Sequence, residues 1–413
     1  MQTVDDEPVI GHIRKLTGER IELEVIGQGE RRLEKPVNRE WTLDDVISID
    51  RVTLRPSSTG DDPSPAKGTL ADRRLSIVAG DRQGRLWLGN GDRIAVELLE
   101  LNDEQITVRV QSIAAAPTWT IPLEMIRGFV TDFDAEAPIA WGPTTALRSD
   151  IVSLANGDRL SGELLNFANG QFEFETTTGK HTLPLGDIEG FEMNPDLIVF
   201  PAVSEPRILL MLRDGSYLTL KSLATQESSA TGNHAGDPTF IGRTLFDQEV
   251  NIASSDLLSI AFWDRRIVPL SELKAADYQF TPFFSTKWEY QLDRNAGGGP
   301  LMIARREYVK GLGLHSQCRV TYQLDGRFQR LQARAGIDDT YKHKGQALIS
   351  VLIDGEPRID QLPVKGGEPA IELRVDQLDR ARELTISVEF GPFGDVGDHV
   401  DIVDPILILA PAR

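Results

Sequence analysis

Residues 308–339, YVKGLGLHSQCRVTYQLDGRFQRLQARAGIDD, decide the fold class of this chain. Apolar residues alternate with polar ones from Val320 to Leu324, which is the period of a strand with one buried face. Asp325-Gly326 then predicts a tight two-residue hairpin. The returning run places Leu331 and three later apolar residues, up to Ile337, on one face. The stretch therefore predicts antiparallel β-structure, and it is more typical of a binding module than of an enzyme.

The bulk composition excludes several classes of partner. The chain has 413 residues, 40% hydrophobic content and a formal net charge of -19, so it is long enough for about three domains with packed cores, or for more if the domains are small. Proteins bind nucleic acids and anionic membrane surfaces through clusters of cationic residues. The strongly negative net charge of this chain disfavours both as partners. No run approaches the roughly 20 apolar residues of a membrane helix, so we expect no membrane insertion.

The single cysteine, Cys318, excludes an intrachain disulfide and lies in the alternating run, where we expect a buried core residue. The first residues, MQTVDDEPVIG, lack the charged and apolar regions of a signal peptide. They resemble the start of a mature chain. We therefore expect a removed signal peptide and an extracellular or cell-envelope location.

Before the C-terminal third, one theme occurs four times: a tight turn followed by apolar alternation. It begins at Thr17 (TGERIELEV), Asn90 (NGDRIAVELLEL), Asn156 (NGDRLSGELLNF) and Asp214 (DGSYLTLKSL). The middle two copies also share an Ile/Leu-Pro-Leu segment that leads into an Ile-x-Gly-Phe tail. Asn-Gly and Asp-Gly pairs supply the positive φ that tight hairpins need. Each copy therefore predicts a compact antiparallel unit, and the segment before the last strand predicts a 3₁₀ turn.

The units resemble small SH3-like or Sm-like β-barrels in general shape, which carries no function by itself. Linkers rich in Pro, Ser and Gly separate them. We predict barrel units at residues 1–56, 70–135, 148–195 and 205–265. These repeats contain no catalytic set, phosphate-binding loop or metal-ligand spacing. We expect them to act as spacers or docking surfaces.

The sequence pattern changes at Tyr278, and we predict a fifth domain at residues 278–413. A glycine-rich loop precedes the stretch quoted first, and several short strands with turn signals follow it. Residues 347–353 are apolar on both faces, as in the interior of a sandwich, and residues 384–390 alternate. These features favour a two-sheet jelly-roll β-sandwich. The predicted fold is thus all-β, with tandem small barrels followed by a sandwich.

Four motifs of this domain resemble the NPCBM domains, a family of carbohydrate-binding modules. They are Lys310–Ser316 (KGLGLHS), Gly336–Asp339 (GIDD), Val351–Gly355 (VLIDG) and Gly397–Asp401 (GDHVD), in the family's order across about a third of the chain. The resemblance implies a galactose-binding-like β-sandwich, often attached to glycosidases and other secreted proteins. It also implies galactose-type ligands or a structural calcium in some members. Ile402 stands where the family often has a tryptophan, which puts conventional sugar binding in question.

Candidate site residues follow from what a sugar needs. A pyranose stacks its apolar face on an aromatic ring while its hydroxyls take polar partners. Tyr341, Phe393 and Trp288 are the candidate rings, with a core role as the alternative for each. His399 is a candidate polar contact, with a role in orienting the last loop as its alternative. His315 is predicted to be a buried, hydrogen-bonded residue.

Carboxylates are the second kind of candidate. Asp338, Asp339 and Asp398 are the predicted calcium ligands, because calcium takes oxygen ligands. The alternative is that they are turn and strand-end carboxylates. Calcium is the one cofactor that we predict.

The sequence therefore predicts a non-catalytic carbohydrate-binding protein whose partner is a glycan or glycoprotein. The first alternative is a structural or assembly subunit that binds another envelope protein and no sugar. The second alternative, a glycoside hydrolase, would need a deep cleft and a protonated carboxyl group.

Overall fold

A computed structural model describes most of the chain, and Tyr341 by its backbone only. The described residues are 1–4, 9–29, 31–50, 83–111, 113, 116–131, 149–200, 207–226, 238–263, 266–283, 285–341, 344–392 and 394–410. They divide into two compact units, residues 1–134 with 144–262 and residues 135–143 with 263–413. The described elements are strands and single 3₁₀ turns, which confirms the all-β class. No helix of the described part has the length and apolar content to span a membrane.

The N-terminal unit contains four sets of five strands. The first barrel has β1 (Gln2–Thr3), β2 (Val9–Leu16), β3 (Arg20–Gln28), β4 (Arg31–Thr42) and β5 (Val46–Asp50). The second barrel has β6 (Gln83–Leu88), β7 (Arg93–Leu101), β8 (Gln105–Val110), β9 (Thr118–Pro122) and β10 (Ile126–Val130). The third barrel has β11 (Asp150–Leu154), β12 (Arg159–Ala168), β13 (Gln171–Thr176), β14 (Gly179–Pro184) and β15 (Ile188–Glu192). The fourth barrel has β16 (Arg207–Leu212), β17 (Tyr217–Thr225), β18 (Thr239–Thr244), β19 (Glu249–Ala253) and β20 (Leu257–Trp263).

Each barrel closes in the same way. A 3₁₀ turn stands before each fifth strand, at Leu43–Asp45, Leu123–Met125, Leu185–Asp187 and Ser254–Asp256. The fifth strand then pairs with the first strand of its own barrel. This is the small five-stranded barrel that the repeats predicted, and the 3₁₀ turns confirm that part of the prediction.

The first copy of the repeat is shifted by one hairpin. Its turn at Thr17-Gly18 lies between the second and third strands of the barrel, whereas Asn90-Gly91, Asn156-Gly157 and Asp214-Gly215 lie between the first and second. Every hairpin of a meander shows a turn followed by apolar alternation. The pattern therefore found a hairpin in each barrel without identifying which one.

The barrels are joined through their fifth strands. β10 pairs antiparallel with β15, with Phe129 opposite Phe191, and these two rings stack with centroids 5.8 Å apart. β5 pairs antiparallel with β20, with Ile49 opposite Ile260. The second barrel thus joins the third, and the first joins the fourth. All four lie in one compact unit with a shared hydrophobic core.

A second seam joins the first hairpins of the second and fourth barrels. The buried carboxylate of Asp92 accepts bonds from Thr219, from its amide at 2.8 Å and its hydroxyl at 2.7 Å. In return, the hydroxyl of Ser216 accepts the amide of Ala95 at 2.9 Å. Asp92 and Ser216 occupy the same place in the two repeats, as do Ala95 and Thr219. The two contacts are therefore the reciprocal halves of one pseudo-two-fold seam.

The C-terminal unit is the two-sheet sandwich. The six-stranded sheet contains β21 (Ile267–Pro269), β23 (Gln291–Leu292), β26 (Gly311–His315), β28 (Phe328–Ile337), β31 (Ile371–Asp376) and β33 (His399–Leu409). The five-stranded sheet contains β22 (Asp277–Phe280), β27 (Cys318–Gln323), β29 (Gln346–Ile353), β30 (Glu356–Lys365) and β32 (Glu383–Phe390). A separate hairpin contains β24 (Leu301–Ile303) and β25 (Arg306–Tyr308). The predicted sandwich is confirmed, and the sheets bury one core between them.

The turn at Asp325-Gly326 differs from its prediction. Both residues have positive φ, 52° and 65°, as expected for a tight turn. However, β27 pairs with β22 and β32 in one sheet, while β28 pairs with β31 and β33 in the other. The chain therefore crosses between the sheets, and the hairpin prediction is wrong. β27 and β28 bury their apolar faces in the same core. The alternation of apolar and polar residues is therefore the same whether the two strands form a hairpin or lie in opposite sheets.

Candidate functional site

Three aromatic rings meet at one end of the sandwich, and we call Trp288, His315 and His399 the aromatic site. The indole of Trp288 stacks on the imidazole of His315, with centroids 4.7 Å apart and an interplanar angle of 1°. The ring of His399 stands edge-on to both, 5.0 Å from Trp288 and 4.9 Å from His315. Both histidines are buried, while Trp288 is partly exposed.

Strand pairing positions these rings. His315 is the last residue of β26 and His399 the first of β33, and the two lie opposite each other in the antiparallel register. Trp288 lies in the segment before β23, where its carbonyl oxygen accepts the hydroxyl of Tyr278 at 2.8 Å. Because two strands and one anchored segment hold them, the rings are placed before any ligand arrives.

Asp398 fixes the loop that leads to His399. Its buried carboxylate accepts the hydroxyl of Ser316 at 2.8 Å and the amide of Gln346 at 2.9 Å. Burial raises the pKa of Asp398 above its ordinary value, and these hydrogen bonds oppose the shift. The carboxylate thus ties β33 to two neighbouring segments of the sandwich.

His399 is neutral at physiological pH. Burial, with a smaller contribution from nearby His315, lowers its pKa to about 4, although Asp338 acts in the opposite direction. A neutral imidazole has one nitrogen that donates and one that accepts. The indole of Trp288 therefore lies beside a neutral imidazole rather than beside a fixed charge.

A second polar group lies deeper, around two buried carboxyl groups. The amide of Met302 donates to Asp338 at 3.1 Å and to Asp401 at 3.0 Å. Asn295 donates to Asp338 at 3.2 Å. Burial and the neighbouring Asp338 raise the pKa of Asp401 well above its ordinary value. A protonated Asp401 can then share its hydrogen with the Asp338 carboxylate, which relieves the repulsion between two adjacent acids.

The structure brings two of the predicted sugar contacts together, namely Trp288 and His399. Phe393 lies outside the described residues, as does the side chain of Tyr341. These two candidates therefore remain predictions. His315, predicted as a buried residue, is buried and also belongs to the aromatic site.

The predicted calcium ligands are occupied by internal donors. Asp338 accepts the amide of Thr340 at 2.9 Å besides the bonds given above. Asp339 accepts the amides of Ala304 at 3.1 Å and Arg305 at 2.6 Å, and Asp398 is bonded as described. Across the described ranges, no group of three or more His, Cys, Asp or Glu side chains is placed to hold a metal ion. The three carboxylates thus accept internal donors in this structure, and calcium binding by them remains a prediction.

The pairing of His315 with His399 is the feature that sequence reasoning missed. The two residues are 84 positions apart by their numbers, and each stands in its own short motif, GLGLHS and GDHVD. The signal was present, because both motifs place a histidine at the end of an apolar strand. Only the register between β26 and β33 shows that the two histidines face each other.

A family model and a curated protein each match part of this chain. The NPCBM/NEW2 domain model matches residues 269–408. A protein of Renibacterium salmoninarum named "Putative endo-alpha-N-acetylgalactosaminidase" is 33% identical over 127 residues, which are 29% of this chain and 8% of that protein. The chain therefore spans about a twelfth of that relative's length.

Among solved structures, two carbohydrate-binding modules of Clostridium perfringens are similar. The CBM51 of GH95, in complex with methyl-galactose, is 21% identical with a TM-score of 0.31, covering 34% of this chain and 99% of that one. The CBM51-2 and INT domains of ZmpB, in complex with GlcNAc, are 18% identical with a TM-score of 0.32, covering 48% and 44%. Residues 269–408 are thus identified, by the family model and by the motifs that predicted it, as an NPCBM/NEW2 domain.

Proposed function

We propose that this chain is a non-catalytic carbohydrate-binding protein that acts at an extracellular or cell-envelope surface. Its sandwich binds a glycan or glycoprotein at the aromatic site, and its barrels serve as spacer and docking units. The stacked, partly exposed Trp288 carries the proposal. Because its ring is held against His315, the indole needs no reordering before it contacts a sugar.

The chemistry around Trp288 suits a neutral sugar. A pyranose presents an apolar face to an indole and a rim of hydroxyl groups to its surroundings. His399 is neutral and 3% exposed, so it holds the indole in position without placing a charge beneath the sugar. We expect weak binding of single glycans, because a small sugar makes few contacts to offset the freedom lost on binding.

The burial of the carboxyl groups supports a role without catalysis. Glycoside hydrolysis needs two carboxyl groups that flank the scissile bond. Asp338 and Asp401 are the pair that meet here, and they are 1% and 0% exposed. A glycosidic bond does not reach side chains buried to this degree. We expect the full chain to release no sugar from aryl N-acetylgalactosaminides.

The test is a glycan-array screen of the full chain with a Trp288→Ala variant. We expect binding of at least one glycan and an affinity loss of about ten-fold or more in the variant, because an anchoring aromatic side chain dominates a small interface. Leu292→Ala is the matched control, since Leu292 is an exposed apolar residue of the same domain. It should leave binding unchanged.

The array has two outcomes that contradict the proposal. One is that the wild-type chain binds no glycan, which would favour an assembly subunit that meets another protein. The other is that Trp288→Ala binds as tightly as wild type, which would place the sugar elsewhere.

A further inference from the structure

The first hairpin of the third barrel exposes a surface whose counterparts are buried in two other barrels. Residues 92–96 of the second barrel and residues 216–220 of the fourth, which belong to the two hairpins of the seam, are all buried. The corresponding residues of the third barrel, 158–162, are exposed or half-buried. We call residues 158–162 the exposed hairpin face.

The three hairpins share one backbone geometry despite this difference in burial. Their turn glycines, Gly91, Gly157 and Gly215, have φ values of 93°, 89° and 81°. The two strands of each hairpin also pair in the same register, in which these residues lie opposite each other: Arg85 and Ala95, Ile151 and Ser161, Leu209 and Thr219. The exposed hairpin face therefore presents its backbone as the two hairpins of the seam do.

The exposed hairpin face also contains both members of the main side-chain contact of the seam. Asp158 has the place of Asp92, whose carboxylate is the acceptor. Ser161 has the place of Thr219, whose amide and hydroxyl are the donors. The internal seam takes its acceptor and its donors from two different hairpins, whereas the third hairpin carries both. A surface with both halves of a contact can pair with itself about a two-fold axis.

Both groups retain the capacity for such a bond. Asp158 accepts the side-chain amide of Asn156 at 2.8 Å, and a carboxylate has about four acceptor positions. The hydroxyl of Ser161 lies 2.6 Å from that of Ser149. When Ser149 is the donor of that pair, the hydrogen of the Ser161 hydroxyl is available for another acceptor.

An arginine of the third hairpin extends the match. Across the internal seam, Nε of Arg93 donates to the carbonyl oxygen of Gly215 at 3.2 Å. Arg159 and Gly157 have the corresponding places in the third barrel. A guanidinium group has five N–H donors, so Arg159 can make the same contact while it keeps its own ion pair with Glu192 at 3.1 Å.

The charges of two such hairpins balance where they meet. Tyr217 lies opposite Arg93 in the pairing of β17 with β7, so a two-fold copy of the seam brings the two Arg159 side chains close to the axis. Each arginine is paired with Glu192 of its own chain and lies near Asp158 of the other chain. The adjacent carboxylates offset the repulsion between the two guanidinium groups.

We propose that the exposed hairpin face binds a second copy of this chain about a two-fold axis. Asp158 of each copy accepts hydrogen bonds from Ser161 of the other, and Arg159 of each donates to the carbonyl oxygen of Gly157. The contact repeats between two chains the seam that joins the second and fourth barrels within one chain. Because the matched surface is small, the dimer is weak and depends on concentration.

The test is sedimentation velocity of the full chain between about 1 and 300 µM, which covers the Kd range of weak association. We expect the average sedimenting mass to rise from that of one chain towards that of two. Asp158→Lys should raise the Kd of the dimer about ten-fold or more, because it replaces the acceptor by a cation beside Arg159. Asp103→Lys makes the same charge change at an exposed turn of the second barrel and should leave the Kd unchanged.

A mixture of two variants tests the two-fold geometry. Ser161→Asp places a second carboxylate against Asp158 of the other copy, so this variant should also dimerise poorly by itself. When it is mixed with Asp158→Lys, the new ammonium group faces the new carboxylate on one side of the axis. The other side keeps the wild-type contact. We expect the mixture to associate about ten-fold more tightly than either variant alone.

Three results would overturn the inference. They are a wild-type chain that stays monomeric over the whole range, a dimer that Asp158→Lys leaves unchanged, and a mixture that associates no better than its components. Urea unfolding at about 1 µM, where the monomer predominates, should match wild type for both variants, because the substituted side chains are exposed.

Discussion

The barrels and the sandwich bury polar side chains in different patterns. In the N-terminal unit, Asp92 and Ser216 accept amide hydrogens across the seam between two barrels. Asp150 accepts the amides of Leu164 and Asn194 within and beside the third barrel. Each of these residues is buried and bonded to a distant backbone amide. Polar burial in the barrels therefore fastens one strand or one barrel to another.

In the sandwich, buried polar side chains are concentrated near one end. They include two histidines, three aspartates, one asparagine and one serine: His315, His399, Asp338, Asp398, Asp401, Asn295 and Ser316. Several bond to each other in addition to accepting distant backbone amides. Spread-out polar burial indicates assembly, whereas concentrated polar burial indicates a site. This difference locates the candidate function in the sandwich.

The largest effect on stability is expected from a substitution that breaks the seam between the second and fourth barrels. Asp92→Ala should lower the apparent free energy of unfolding by about 3 kcal/mol, because it leaves two buried donors of Thr219 without a partner. Asp158→Ala is the matched control, since Asp158 has the same place in the third barrel and is exposed. It should change stability by no more than about 0.5 kcal/mol. Urea unfolding measures both, and equal effects would contradict the role of the seam.

The next prediction tests the carboxyl pair of the sandwich, Asp338 and Asp401, by the pH dependence of stability. The folded-state pKa of Asp401 is raised above its unfolded value, so its contribution to stability is complete below that unfolded value. The contribution is lost as the pH rises through the folded-state pKa. Asp401→Asn keeps a donor towards Asp338 and does not ionise. We therefore expect the variant to gain in Tm relative to wild type as the pH rises from 4 to 9.

Thermal unfolding of both chains at three pH values between those limits gives the measurement. A Tm difference that stays constant with pH would show that Asp401 does not carry the buried proton. In that case the two carboxyl groups would have to be stabilised by other donors.

The smallest expected effect concerns calcium. Because Asp338, Asp339 and Asp398 already accept internal hydrogen bonds, a calcium ion that they hold would add little to stability, and we expect chelation to lower the Tm of the sandwich transition only slightly. A ligand that binds only the folded state raises the Tm with the logarithm of its concentration once that concentration exceeds the Kd. A large drop in Tm on adding a chelator, reversed by calcium, would show that a bound ion contributes substantially to the stability of the sandwich.

The repeat pattern predicted the barrel strands well because tight turns and alternation are local signals. Asn90-Gly91 and Asn156-Gly157 open hairpins in both barrels, as their sequences predicted. The Asn-Gly-Asp-Arg sequence that the two turns share does not show that Asp92 is buried while Asp158 is exposed. That difference depends on Thr219, more than 120 residues along the chain from Asp92.

The candidate site was predictable in part for the same reason. Trp288 and His399 stood out by residue type, because an indole and a polar ring suit a sugar. Their meeting with His315 depends on the register of two strands from distant parts of the chain. The turn at Asp325-Gly326 shows the same limit, since a tight turn specifies a reversal and leaves the pairing partner open.

The pairing of β5 with β20 has a consequence for synthesis. Ile49 lies opposite Ile260, so one edge of the first barrel stays uncovered until the fourth barrel has been made. At about 5–20 residues per second the ribosome needs roughly 10–40 s to make the intervening chain. During that time the nascent protein displays an unpaired strand edge, which is the surface through which chains aggregate. The first barrel therefore carries this aggregation hazard for longer than the second barrel, whose β10 waits only for β15.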